Sequence, residues 1–223
     1  DYHGVVRCAL GWACWKTFVG RPETDMVRIN AMTWLGNGLS YADRHEEALS
    51  VYGALLYVQR QLRRSGLCEE GILSTLNNIA RCYSALGRLE ESVKIEREVY
   101  AREKVVLGTS DVSTLITGLN LICSLVEIRC HAEAKALGHE LIPLCRRAFG
   151  SNHKLTLSLR MNFAEALFTE PTASRADVLQ AVAILEDVTR GLRRLLGNRS
   201  PDTTEALRLL EGARMKREDV AAP

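Results

Sequence analysis

Two stretches of apolar residues at helical spacing, joined by a short polar turn, fill each interval between Gly66, Gly108, Gly150 and Gly197. The first three of these glycines lie 42 residues apart. The last step is 47, because Pro171 to Arg175 read as an insertion. Asn78, Asn120 and Asn162 keep the step of 42. This alternation predicts one helical hairpin per interval and no sheet, with breaks near Gly87, near Arg129 and across residues 171–175. Pro171 ends a helix because it lacks an amide hydrogen, and Ser174 with Asp177 offers the next start.

Small residues recur where the two helices of a hairpin must approach. Ala48, Ser92, Ala134 and Ala181 align in the second helices, and Gly36, Ala80 and Ala164 in the first, with Ile122 departing from the pattern. Helix ends repeat too. Glu47, Glu91, Glu133 and Gln180 fall in the first turn of each second helix, and Arg60, Lys104, Arg146 and Arg193 in its last turn. Acid at the start and base at the end complement the helix dipole. The glycine after each basic end is expected to cap the helix in left-handed conformation.

Ser74-Thr75-Leu76-Asn77-Asn78-Ile79-Ala80, with Tyr83, Gly87, Arg102-Glu103-Lys104 and Leu107-Gly108, resembles the tetratricopeptide repeat. The 42-residue form of kinesin light chains is the most similar. Leu35-Gly36 and Glu46-Glu47-Ala48 carry the likeness into the preceding interval, and Ala134, Ala181 and the terminal glycines carry it onward. His153 stands where that family's inter-repeat loop usually has histidine, although Lys154 replaces the usual proline.

The resemblance implies an all-α fold, a right-handed superhelical solenoid of antiparallel helix pairs whose first helices line a concave face. Repeats are expected at 21–66, 67–108, 109–150 and 151–197, the last with the insertion 171–175. Residues 1–20 read as the second helix of a truncated preceding repeat, 198–217 as a capping helix and 218–223 as a tail.

Composition narrows the function. A net charge of +2 from 29 basic and 27 acidic side chains gives no sequence-wide attraction for nucleic acid or anionic membrane. The basic series ending at Arg193 resembles a phosphate-binding stripe, but the helix dipole already accounts for it, and acidic residues are interleaved. Seven cysteines without a CxxC pair or zinc-ligand spacing read as buried thiols, so no metal or cofactor is expected. Such usage fits a reducing, cytoplasmic setting. The chain starts at Asp1 rather than Met and is read as a fragment of a longer protein. HExxH, GxSxG, P-loop and dinucleotide fingerprints are absent from the sequence, and Cys130-His131 lies in a turn where neighbouring side chains diverge. An enzyme is not indicated.

Asparagine is a poor helix former, so Asn78, Asn120 and Asn162 at equivalent mid-helix places need a reason. One is structural, each carboxamide tying neighbouring helices together. The other is a ladder that hydrogen-bonds the backbone of an extended peptide. The likeness to kinesin light chains implies the second, since in that family asparagines at this place hold cargo peptides. Asn77 is carried with them as part of the signature. Arg81 shares the face of Asn78 and suits an acidic side chain of the peptide, with a solvated arginine as the alternative. Trp34 occupies the ladder position in the first repeat and changes the groove from polar to aromatic. Trp12 and Trp15 read as core. The expected function is a peptide-binding scaffold of adaptor type; the alternative is a recruiting or regulatory arm of a larger enzyme or signalling protein.

Overall fold

The computed structural model describes residues 2–63 and 69–221. Arg64, Gly66, Cys68, the first repeat boundary at 66/67 and the end of the tail lie outside the described residues. Ten α-helices and no strand occur among the described residues. They are α1 (Tyr2–Phe18), α2 (Met26–Tyr41), α3 (His45–Arg63), α4 (Glu69–Ala85), α5 (Leu89–Val106), α6 (Val112–Glu127), α7 (His131–Phe149), α8 (Lys154–Thr169), α9 (Arg175–Leu196) and α10 (Pro201–Ala221). The all-α expectation holds. The last helix runs four residues past the expected end at 217, because no glycine or proline interrupts Glu218 to Ala221.

The chain forms two compact units, Asp1–Val106 with α1–α5 and Leu107–Pro223 with α6–α10. In the first, each helix packs on its successor and α2 also touches α4. In the second the same rule holds, and α6 touches α8 as α8 touches α10. Alternate contacts of this kind place first helices side by side.

Local chemistry fixes the helix starts. Asp25 accepts from the Val27 N–H at 2.7 Å, Asp111 from Ser113 at 2.8 Å and Ser174 from Asp177 at 3.1 Å. His153 takes the same place in α8, its Nδ1 accepting from Leu155 at 3.3 Å while its ring stacks on Phe149 at 4.9 Å. The insertion behaves as read, with Ser174 capping α9 after the break at residues 170–174.

The helix-ending glycines differ from expectation in one respect. Gly108, Gly150 and Gly197 all have positive φ, but at Gly150 and Gly197 ψ is 161° and 173°. That is the extended, positive-φ region open to glycine alone, not the left-handed helical one. The chain therefore leaves each helix straight into the next repeat, after one hydrogen bond from the glycine N–H to the Arg146 or Arg193 carbonyl.

Each unit has its own core. In the first, Tyr52 is fully buried with Leu35, Leu39 and Leu55, and its ring lies so close to Gly36 that a Cβ there would stand 2.5 Å from it. Ser92 joins α5 to α4 by donating to the Ala80 carbonyl at 2.8 Å, which explains the small pair expected there. In the second unit Phe163 fills the space beside Gly138, where a Cβ would come within 2.3 Å of its ring. Buried Arg160 of α8 reaches Asp187 of α9 at 2.7 Å. Each fully buried large side chain contributes roughly 1.5–3 kcal/mol of transfer free energy.

Candidate functional site

In the first unit Asn78 ties two neighbouring first helices together, as the structural alternative expected, through a partner the repeat alignment did not give. Asn78 of α4 donates from Nδ2 to Oδ1 of Asn37 on α2 at 3.4 Å. Asn37, one turn beyond Trp34, is therefore the partner of Asn78. The same Oδ1 accepts from the Tyr52 hydroxyl at 2.7 Å. Tyr52 belongs to α3 and reaches this face only because Gly36 leaves room for its ring. Burial pushes its phenol above the ordinary range, opposed in part by the adjacent Arg81 guanidinium. With both lone pairs of the Asn37 oxygen engaged, the Asn37 amide and the Asn78 oxygen are the carboxamide atoms these contacts leave over.

Two cations and two aromatic rings flank the asparagines. The Tyr41 ring lies 4.2 Å from the Arg7 guanidinium and 5.9 Å from that of Arg81. Trp34 is 66% exposed, unusual for so large an apolar side chain. With Arg7, Leu10, Asn37, Gly38 and Tyr41 it lines a cleft of about 350 Å³ between α1 and α2. The face is thus aromatic and cationic, with amide hydrogen-bonding groups at its centre.

The other expected residues divide. Asn77 turns away from this face and donates to buried Glu103 of α5 at 3.0 Å, so it ties the hairpin together. One residue along a helix is a 100° turn, which separates it from Asn78. In the second unit Asn120 of α6 is exposed, and its carboxamide has no hydrogen-bond partner among the described residues. Asn162 of α8 is half-buried and donates to the Ser158 carbonyl of its own helix at 3.0 Å. One turn beyond it, at the place Arg81 holds in the second repeat, stands Glu165. Burial raises its carboxyl above the usual range; Arg208 opposes this, and Glu205 and Glu127 add to it. Glu165 of α8 thus takes the place that Arg81 takes in α4.

Trp12 corrects the core reading, whereas Trp15 packs against the edge of the first unit's core. Trp12 is 36% exposed and Trp15 half-buried, with the Arg28 guanidinium 5.6 Å from the Trp15 ring. Both line a groove of about 520 Å³ with Met32, Tyr57 and Val58, bounded by α1, α2 and α3. The six described cysteines are free thiols, with Cys82 and Cys145 buried and Cys123 partly so. Among the described residues no three histidine, cysteine or carboxylate side chains are grouped to hold a metal ion. No described helix is long and apolar enough to cross a membrane.

Comparison with known proteins bears on this geometry. Residues 72–112 match the tetratricopeptide repeat family. No curated protein sequence matches the chain. Among solved structures, the nearly identical TPR-like repeats of a Podosopora anserina protein assigned to the kinesin light chains superpose with a TM-score of 0.69. That match has 20% identity and covers 86% of this chain and 87% of the other. BtubC (BKLC) from P. vanneervenii superposes at 0.65 with 14% identity, covering all of this chain and 94% of its own. A Rap protein complexed with Competence and Sporulation Factor gives 0.54 at 13% identity, over 92% of this chain and 57% of its own. The chain is an all-α repeat protein with the fold of kinesin light chain-like tetratricopeptide arrays, and 72–112 is a tetratricopeptide repeat.

Proposed function

We propose that this chain is a non-catalytic scaffold that holds an extended segment of another protein against its first helices. One observation carries the reading: an exposed Trp34 beside a pair of asparagines, joined at 3.4 Å and flanked by Arg7 and Arg81. A carboxamide pair meets the alternating N–H and C=O of an extended backbone, an aromatic cleft takes an apolar side chain, and guanidinium groups take an acidic one. The segment is therefore expected to carry a bulky apolar residue near an aspartate or glutamate. Asn120 offers a further open carboxamide, whereas Asn162 and Asn77 are engaged internally. The absence of disulfides among the six described cysteines agrees with work in a reducing compartment such as the cytoplasm. The Rap protein complexed with Competence and Sporulation Factor gives a precedent for a fold of this kind holding a partner.

Affinity is expected to be modest, because an extended segment loses conformational freedom on docking. Panning a random peptide library against the chain supplies ligands, and fluorescence anisotropy supplies their affinities. Trp34→Ala should cost roughly 2 kcal/mol of binding, the scale of an aromatic hot spot, with melting temperature nearly unchanged because the ring is exposed. Selected peptides that bind the Trp34→Ala and Arg81→Gln proteins as tightly as the parent would remove this site from the molecule's function.

A further inference from the structure

The second unit carries a cationic cleft that the peptide face does not use. It lies between α9 and α10, holds about 320 Å³, and is lined by Arg190, Arg193 and Arg214, with Leu207 and Leu210 as its apolar wall. Thr189 also lines it and is only 3% exposed. Its hydroxyl is buried and has no hydrogen-bond partner among the described residues. A buried hydroxyl without a partner costs free energy, so it marks a place where an acceptor is missing.

The charges around it point to what that acceptor is. Arg217 also acts on this site, since Glu186 is held below the usual carboxylate range first by its hydrogen bond from Arg214 and then by the nearby Arg190 and Arg217. Within the cleft itself Arg190, Arg193 and Arg214 face one carboxylate, Glu186. Asp187 is shared between Arg160 at 2.7 Å and Arg190 at 3.3 Å. Arg193 has no ion-pair partner among the described residues. The helix dipole accounts for Arg193 and Arg194, which stand in the last turn of α9. It does not account for Arg190, nor for Arg214 and Arg217, because the last turn of α10 has no basic residue.

We propose that this cleft binds a phosphate group, with the Arg190, Arg193 and Arg214 guanidiniums on its oxygens and the Thr189 hydroxyl donating to one of them. Guanidinium forks match tetrahedral oxyanions in geometry as well as charge. The ion pairs of Arg190 and Arg214 are largely exposed, so an incoming dianion exchanges them at little cost. Glu186, which also lines the cleft, repels an extended polyanion, which selects a single phosphate on a small molecule or a modified side chain over a nucleic-acid backbone.

The test is calorimetric titration and thermal melting at fixed ionic strength, with inorganic phosphate against chloride as the first arm. The second arm sets a short phosphoserine peptide against its serine counterpart, and the third uses a single-stranded oligonucleotide. Phosphate is expected to bind and raise the melting temperature where chloride does not. Arg193→Gln should weaken it roughly tenfold, and Thr189→Val, which keeps shape and loses the hydroxyl, a few-fold. Arg175→Gln, at the other end of α9, should leave it unchanged. Tighter binding of the phosphoserine peptide than of free phosphate identifies a modified side chain as the source, and equal binding a small molecule. Equal effects of phosphate and chloride would overturn the proposal. So would an unchanged phosphate affinity in a folded Arg193→Gln, Arg214→Gln double variant, or an oligonucleotide that binds tighter than either phosphate ligand.

Discussion

The two units solve the same packing problem with opposite partners, and their first-helix faces differ as a result. In the first unit the first helix is small at Gly36 and the second helix supplies the large ring of Tyr52. In the second, the second helix α7 is small at Gly138 and the first helix α8 supplies Phe163. Both arrangements fill the interior. Only the first carries a hydroxyl through the helix layer to the asparagines, where Tyr52 donates to Asn37 at 2.7 Å. The second buries an apolar ring, Phe163, and leaves half-buried Glu165 and internally bonded Asn162 on its face. The direction in which one large side chain crosses between two helices therefore decides whether a hydroxyl reaches the first-helix face.

The largest test of this contrast is Tyr52→Ala. It should cost about 3 to 5 kcal/mol in chemical denaturation, as for other buried rings, and abolish the arrangement of Asn37. Tyr52→Phe should retain most of the stability while losing peptide affinity. If the Phe variant binds as the parent does, the hydroxyl has no part in the face.

Asn120 and Asn162 provide the next test. Asn120→Ala should weaken peptide binding by roughly 0.5–1.5 kcal/mol, a neutral hydrogen bond, with helicity kept. Asn162→Ala should instead act on stability, because its amide is already bound to the Ser158 carbonyl. Affinity and melting temperature measured on both variants separate the two roles; a stability loss at Asn120 with unchanged affinity would assign it a structural one.

The smallest effect is the pH dependence contributed by Glu165. Its folded-state carboxyl titrates above the ordinary 4.5, so the folded state holds its proton longer than the unfolded chain. The contribution to stability is full below the unfolded value and declines as pH rises through the folded one. Glu165→Gln should flatten that decline and raise stability at neutral pH. The opposite sign applies to Asp187, held low by its hydrogen bond from Arg160, whose contribution is present above the unfolded value and lost on acidification. A steeper decline in the Gln variant would show that Glu165 is stabilised in its charged form.

What the sequence made legible was whatever is encoded locally. The helix start at Ser174, the break at Pro171 and the period itself depend on neighbours within a few residues. The site depends on longer reach. Aligning small residues placed Trp34 opposite Asn78, whereas side chains of adjacent first helices meet one turn further on, at Asn37. The 41-residue spacing of the two asparagines was the available signal. Tyr52 had none, because its role comes from the space above Gly36, and Arg7 depends on how α1 lies against α2. Asn77 was separable from Asn78 by helical rotation alone. Arg129 and Asp43, at φ of 61° and 56°, hold the hairpin turn that Gly87 makes in the second repeat, so glycine is not required to recognise that turn.

Within each unit a helix touches only its successor or the next helix but one. This has a kinetic meaning. No contact has to wait for distant parts of the chain to meet, so the loops closed on the way to the native state are short and their entropy small. Low contact order places such units among fast folders. The same connectivity sets how they open: a terminal helix is held on one flank only, and it can detach while the helices inward of it keep both neighbours. In the first unit α1 brings Arg7 and Leu10 to the cleft at Trp34. That cleft is thus shared between two helices, and any opening between α1 and α2 is at once the loss of the aromatic pocket.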